Sequence, residues 1–208
     1  MPPNAEKIRC LVLAREPSGE HFLKLALLSP QNGIMTCLLR LSALSKNAHA
    51  PDFFDVADIT LAASKKADAP AQFIAEYTVL RRHSAIGSDY TRLAIASRLS
   101  LIILKNPLPP ESTKTIAALL DRATDALANK PLPHVTFFKT LWELARNEGY
   151  PVREHWLASL PPDRRQHTLQ ILRQPLDNQD TPPNNLADLT HSLEQWLSRE
   201  CHFVIPQR

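Results

Sequence analysis

His21-Phe22-Leu23-Lys24-Leu25-Ala26-Leu27-Leu28 places Phe22, Lys24 and Ala26 on one face and Leu23, Leu25 and Leu27 on the other. A period of two with one apolar face is the signature of a half-buried strand. Upstream, Ile8 to Arg15 is largely apolar and ends at Glu16-Pro17-Ser18-Gly19, where proline presets φ for a turn and glycine eases the exit. Downstream, Ser29-Pro30-Gln31-Asn32-Gly33 holds an Asn-Gly pair suited to positive φ, and Ile34 to Leu41 resumes the apolar pattern. Phe53 to Ala62 and Gln72 to Leu80 supply two further strands. Five strands in about 80 residues fit a barrel, because closure hides sheet edges. The OB-fold-like barrel is the expected solution and an SH3-like barrel the alternative.

After Gly87 the period becomes helical. Ser88 is placed to cap a helix whose Tyr90, Leu93, Ala94, Ser97, Leu101 and Leu104 form one side, and Asn106-Pro107 stops it. From Thr113, the residues Ile116, Leu119, Leu120, Ala123 and Leu127 recur at helical spacing. His134 to Asn147 aligns Val135, Phe138, Leu141, Trp142 and Ala145, with Gly149 where a C-terminal cap belongs. A shorter helix spans Asp163 to Arg173, and a linker rich in Asp, Asn, Pro and Gln covers Gln174 to Asn185. The last helix turns Leu186, Leu189, Leu193, Trp196 and Leu197 inward. The expected architecture is therefore α+β, with a barrel domain over residues 1–82 and an all-α helical domain over residues 83–208.

Composition narrows the class. Hydrophobic residues at 44% and charged residues at 22% are those of an ordinary globular chain of 208 residues. No run approaches the roughly 20 apolar residues of a membrane span, and the first ten residues lack a secretory signal, so a cytoplasmic location is expected. The three cysteines, Cys10, Cys37 and Cys201, are odd in number and far apart, which suits reduced thiols. The net charge of +3 permits nucleic-acid binding without demanding it. Residues 1–80 carry 8 Lys+Arg against 8 Asp+Glu, and residues 81–208 carry 16 against 13, so any basic face must arise from folding.

The order of elements resembles the RecO family of bacterial recombination mediators. The likeness rests on Leu11-Val12-Leu13-Ala14-Arg15, Gly19-Glu20, Leu28-Ser29 and Gly33, followed by Phe137, Leu141, Leu144, Gly149, Tyr150 and Pro151. It runs from about residue 8 to about residue 155, and it is carried by the order and spacing of motifs that are individually common. The resemblance implies an OB-fold that contacts single- and double-stranded DNA. It also implies a helical domain that helps bind RecR and the C-terminal tail of single-stranded-DNA-binding protein, and a nucleoid-associated role in DNA repair and recombination, loading recombinase and annealing strands. Two departures stand out. Many relatives carry a four-cysteine zinc insert, whereas Tyr150 to Pro162 contains no cysteine, so no zinc is expected. The family's dense basic run after its third strand is reduced here to Arg40 and Lys46.

A barrel that binds single strands needs cations to follow phosphates and aromatic faces for bases. Arg15, Lys24, Arg40, Lys46, Lys65, Lys66, Arg81 and Arg82 are the candidate DNA-binding residues, with Phe22 beside Lys24 as a possible stacking surface whose commoner fate is burial. Arg122, Lys139 and Arg146 are candidate borders of an apolar cleft for a partner's acidic tail. Glycine-rich phosphate loops, Gly-x-Ser-x-Gly and His-Glu-x-x-His are all absent, and Glu154-His155 beside Trp156 is a lone pair. No catalytic residue, metal or cofactor is expected. The competing function is a protein-interaction adaptor that keeps the barrel but has little DNA affinity; an enzyme of unrecognised type is the third.

Overall fold

A computed structural model of the chain describes residues 7–41, 50–62 and 71–206. It divides into two units, Met1–His83 with Leu108–Ala117 and Ser84–Pro107 with Ala118–Arg208. In the first unit, β1 (Lys7–Ser18), β2 (Phe22–Ser29), β3 (Gly33–Arg40), β4 (Val56–Leu61) and β5 (Gln72–Arg81) close into an OB-fold-like barrel in the order β1-β2-β3-β5-β4. Closure depends on the length of β1. Its first part pairs with β4, from Lys7↔Thr60 to Leu11↔Val56, and its last part pairs with β2, down to Ser18↔Phe22. A register shift between Val12 and Ala14 accompanies the bend between the two pairings. All pairs are antiparallel except β3 with β5, which run parallel over Cys37↔Gln72 to Leu39↔Ile74.

The alternation of His21 to Leu28 does what its period requires. Leu23, Leu25 and Leu27 point into a core shared with Cys10, Val12, Cys37, Leu39, Ala57, Ile59 and Ile74, and each such leucine contributes about 1.5–3 kcal/mol by leaving water. Phe22, Lys24 and Ala26 face outward. Gly33 adopts φ 70° at the exit of the β2–β3 turn and lies against Thr113, so the segment Leu108–Ala117 packs with the barrel. The expected strand Phe53 to Ala62 starts later, at Val56, because residues 53–55 form a turn in which Phe54 has φ 65°. That left-handed conformation is costly for a phenylalanine. It is held by the Phe54 amide donating to Val12 O at 2.8 Å and by buried His83 Nδ1 bonded to Phe54 O at 2.6 Å.

In the second unit, α1 (Ser84–Gly87) and α2 (Tyr90–Lys105) precede α3 (Pro110–Asn129), whose residues from Ala118 belong here. The expected cap and face of α2 are both corrected. Asp89, not Ser88, caps it, accepting from Arg92 N at 2.9 Å, and a carboxylate also favours the positive end of the helix dipole. The buried side is Ile95, Ala96, Leu99, Ser100, Ile102 and Ile103, while Tyr90 is 87% exposed and Leu101 43%. Arg92 and Arg98 border that stripe and disguise it in the sequence. Arg92 donates to Leu127 O and Ala128 O, and Arg98 pairs with buried Glu194 at 2.8 Å above the Phe137 ring.

α4 (Pro133–Asn147) buries the five residues expected of it and ends at Gly149, whose φ of 78° lets its amide reach Arg146 O at 3.0 Å. A π-helical turn, Val152–Leu157, follows, then α5 (Pro162–Arg173), a 3₁₀ turn within the expected linker (Leu176–Asn178), and α6 (Pro183–Glu200). α6 buries Leu186, Leu189, Leu193 and Leu197, leaving Trp196 half-buried. No described helix is long and apolar enough to cross a membrane.

Candidate functional site

Strand register sorts the barrel's candidate cations. In the β1–β2 hairpin Glu16 stands opposite Lys24, and the two join at 2.7 Å. Arg15 reaches Asp52 at 2.9 Å. The Asp52 amide donates to Asp55 Oδ2 at 2.9 Å, and Asp55 in turn lies 3.6 Å from Arg82. Arg15 and Arg82 are thus gathered around one turn with two carboxylates between them. Burial holds the Asp55 carboxyl above its ordinary range, against the lowering pull of the Asp52 amide and Arg82. Arg81 is exposed at the end of β5, opposite Val56. Lys46, Lys65 and Lys66 lie outside the described residues.

Arg40 is different. It is exposed, stands opposite Phe22, and places its guanidinium 5.6 Å from that ring's centroid. Phe22 also meets Phe73 edge-on at 5.7 Å. Phe22 is therefore not buried in the barrel, the fate expected to be commoner; it is half-buried on the outer face. Phe73 carried no sequence signal of its own.

The helical unit holds a cleft of about 320 Å³. α4 supplies Lys139, Trp142, Glu143 and Arg146, the π-helical turn supplies Arg153 and Leu157, and α5 supplies Leu169, Leu172 and Arg173. Trp142 and Leu157 are buried, and Leu169 and Leu172 half-buried, giving an apolar floor. Trp142 packs at 5.8 Å against Trp156, whose indole N–H donates to Ser192 at 3.1 Å and so fixes the wall. Around this floor stand four cations and one carboxylate. Lys139 donates to Gln174 O, and burial pushes its ammonium below the usual range, with Glu143 opposing. Arg146 lies 3.8 Å from Glu143. Arg153 and Arg173 are exposed and have no carboxylate partner among the described residues.

Of the three expected cleft borders, Lys139 and Arg146 line this cleft and Arg122, exposed on α3, does not. Arg153 and Arg173 were missed. The π-helical turn brings Arg153 to the rim, and no helical or strand period announces such a turn. The arrangement suits a ligand that is both anionic and apolar.

Cys10 and Cys37 are buried in the barrel, and that burial pushes Cys10 up to about 12 and Cys37 up to about 11, which disfavours the thiolate form. Among the described residues no group of three or more His, Cys, Asp or Glu could hold a metal ion. No protein-family model matches the chain, and no curated protein does.

Proposed function

We propose that the chain is a DNA-binding recombination mediator of the kind its resemblance to RecO implies. In this reading it binds and anneals single strands on the barrel and helps load recombinase without a covalent step. RecR and single-stranded-DNA-binding protein are its protein partners. The observation that carries the reading is the helical cleft, with Lys139, Arg146, Arg153 and Arg173 around the floor of Trp142, Leu157, Leu169 and Leu172. An acidic, apolar C-terminal tail complements such a cleft in both charge and hydrophobicity.

The test is fluorescence anisotropy of the full chain with a labelled peptide that ends in several acidic residues and a C-terminal phenylalanine. Arg153→Glu with Arg173→Glu is expected to weaken binding by about tenfold or more, and amidating the peptide's terminus to weaken it further. Equal affinity of the double variant and the parent removes the tail-binding reading.

The adaptor reading, with little DNA affinity, is favoured by one observation: Arg15, Lys24 and Arg82 are each answered by a carboxylate. A mobility shift of labelled single- and double-stranded oligonucleotides at low salt separates the two. Peptide binding without any shift selects the adaptor.

A further inference from the structure

On the outer face of the barrel, two aromatic rings and an arginine without a carboxylate partner among the described residues come together. Phe22 and Phe73 meet there edge-on at 5.7 Å, Phe73 is 49% exposed, and Arg40 lies 5.6 Å from the Phe22 centroid. The three residues come from three neighbouring strands. Arg40 pairs with Phe22 across β2–β3, and Leu38, on the same face as Arg40, pairs with Phe73 across β3–β5. The inner core takes Leu23, Leu39 and Ile74 from the same stretches, so the two rings lie outside that core. Arg40 has no carboxylate partner among the described residues, unlike Lys24 on the next rung, which Glu16 occupies.

From this we infer that Phe22, Phe73 and Arg40 form a stacking platform for the unpaired bases of a single strand. The inference rests on the nucleic-acid half of the proposed function and adds to it the residues that take the bases and the way they hold them. A base has a flat π-face that an exposed phenyl ring can cover, and a guanidinium beside the rings can meet the adjoining phosphate or extend the stack. A duplex keeps its bases stacked on one another and offers nothing to such rings. Arg15, Lys24 and Arg82 are each engaged by a carboxylate and add little affinity for phosphates, and stacking on the two rings adds to what the remaining cations supply. A protein partner fits the face less well, since Phe22 is flanked by an unneutralised arginine and by the Lys24–Glu16 ion pair.

The test compares the full chain with Phe22→Leu/Phe73→Leu, which keeps apolar bulk but removes both π-faces, and with Arg40→Gln. Anisotropy is read on a fluorescein-labelled thymidine 15-mer and on a duplex of equal length across a salt series, with thermal melts to confirm folding. The expected result is a loss of about tenfold or more for the 15-mer in the leucine variant, with an unchanged salt slope and unchanged duplex binding. Arg40→Gln is expected to reduce the slope by about 0.7, the value of one single-strand phosphate contact.

Unaltered 15-mer affinity in a folded leucine variant overturns the platform while leaving DNA binding and the mediator reading intact. Absence of any oligonucleotide binding by the parent chain, with peptide binding retained, overturns the nucleic-acid half and the platform together. A dimer in sedimentation that Phe73→Lys dissolves, with no 15-mer binding, assigns the face to a second copy of the chain and likewise overturns the inference.

Discussion

The barrel and the helical unit both display cations, yet they use them differently. On the barrel, Lys24, Arg15 and Arg82 each meet a carboxylate, at 2.7, 2.9 and 3.6 Å. In the helical cleft, four cations share one glutamate and surround an apolar floor. The exposed pairs Lys24–Glu16 and Arg15–Asp52 are individually worth about 0–1 kcal/mol, and all three pairs cancel the field an anionic ligand would feel. The second arrangement leaves that field in place. What distinguishes the cleft from the barrel's charged surface is thus the pairing of the charges, which a count of Lys and Arg does not capture.

The strongest challenge to this contrast is truncation of the aromatic on each side. Trp142 is buried against Trp156, so Trp142→Ala is expected to destabilise the protein by about 3–5 kcal/mol. Phe73 is half exposed and touches one ring, so Phe73→Ala is expected to cost about 1 kcal/mol. Urea unfolding followed by circular dichroism measures both; equal losses would mean that the barrel face is structural in the same sense as the cleft floor. A smaller effect sharpens the electrostatic side. Glu16→Gln with Asp52→Asn frees Lys24 and Arg15 and is expected to raise oligonucleotide affinity about fivefold. Constant or weaker binding would show that carboxylate pairing does not suppress the barrel's affinity.

The smallest effect concerns pH. Burial raises the Asp55 carboxyl above its ordinary 3.8, so the folded barrel holds that proton more tightly than the unfolded chain does. As pH climbs from 3.8 through the raised folded value, the unfolded chain ionises first and stability is lost; it is regained on acidification. Asp55→Asn is expected to flatten this contribution in urea midpoints taken from about pH 4 to about pH 7, and an unchanged slope would place the dependence on other groups.

Much of the fold was legible because periodicity is local. The alternation through Leu23, Leu25 and Leu27 and the stripe Ile116, Leu119, Leu120, Ala123 and Leu127 each report burial that the structure has. α2 was misread because it is apolar on two adjoining sides and its buried stripe is bordered by Arg92 and Arg98, whose charges are satisfied internally. The candidate sites were less legible, since they depend on residues brought together across elements. Glu16 opposite Lys24 could have been read from the hairpin, where Ser18↔Phe22 and Pro17↔Leu23 set the count. Nothing local foretells that Asp55 will answer Arg82, that Phe73 will meet Phe22, or that a π-helical turn will deliver Arg153 to the rim set by Lys139 and Arg146.

The composition of the first unit has a practical consequence for dissecting the molecule. Because Leu108–Ala117 folds with the strands, after the chain has already built α1 and α2, no single scission yields both units whole. A recombinant fragment stopping at His83 omits Thr113 from beside Gly33, and its failure to capture DNA would report a damaged barrel rather than an inert one. A synthetic tether that replaces residues 84–107 and carries the chain from His83 into residues 108–117 is the route by which the strands can be produced on their own.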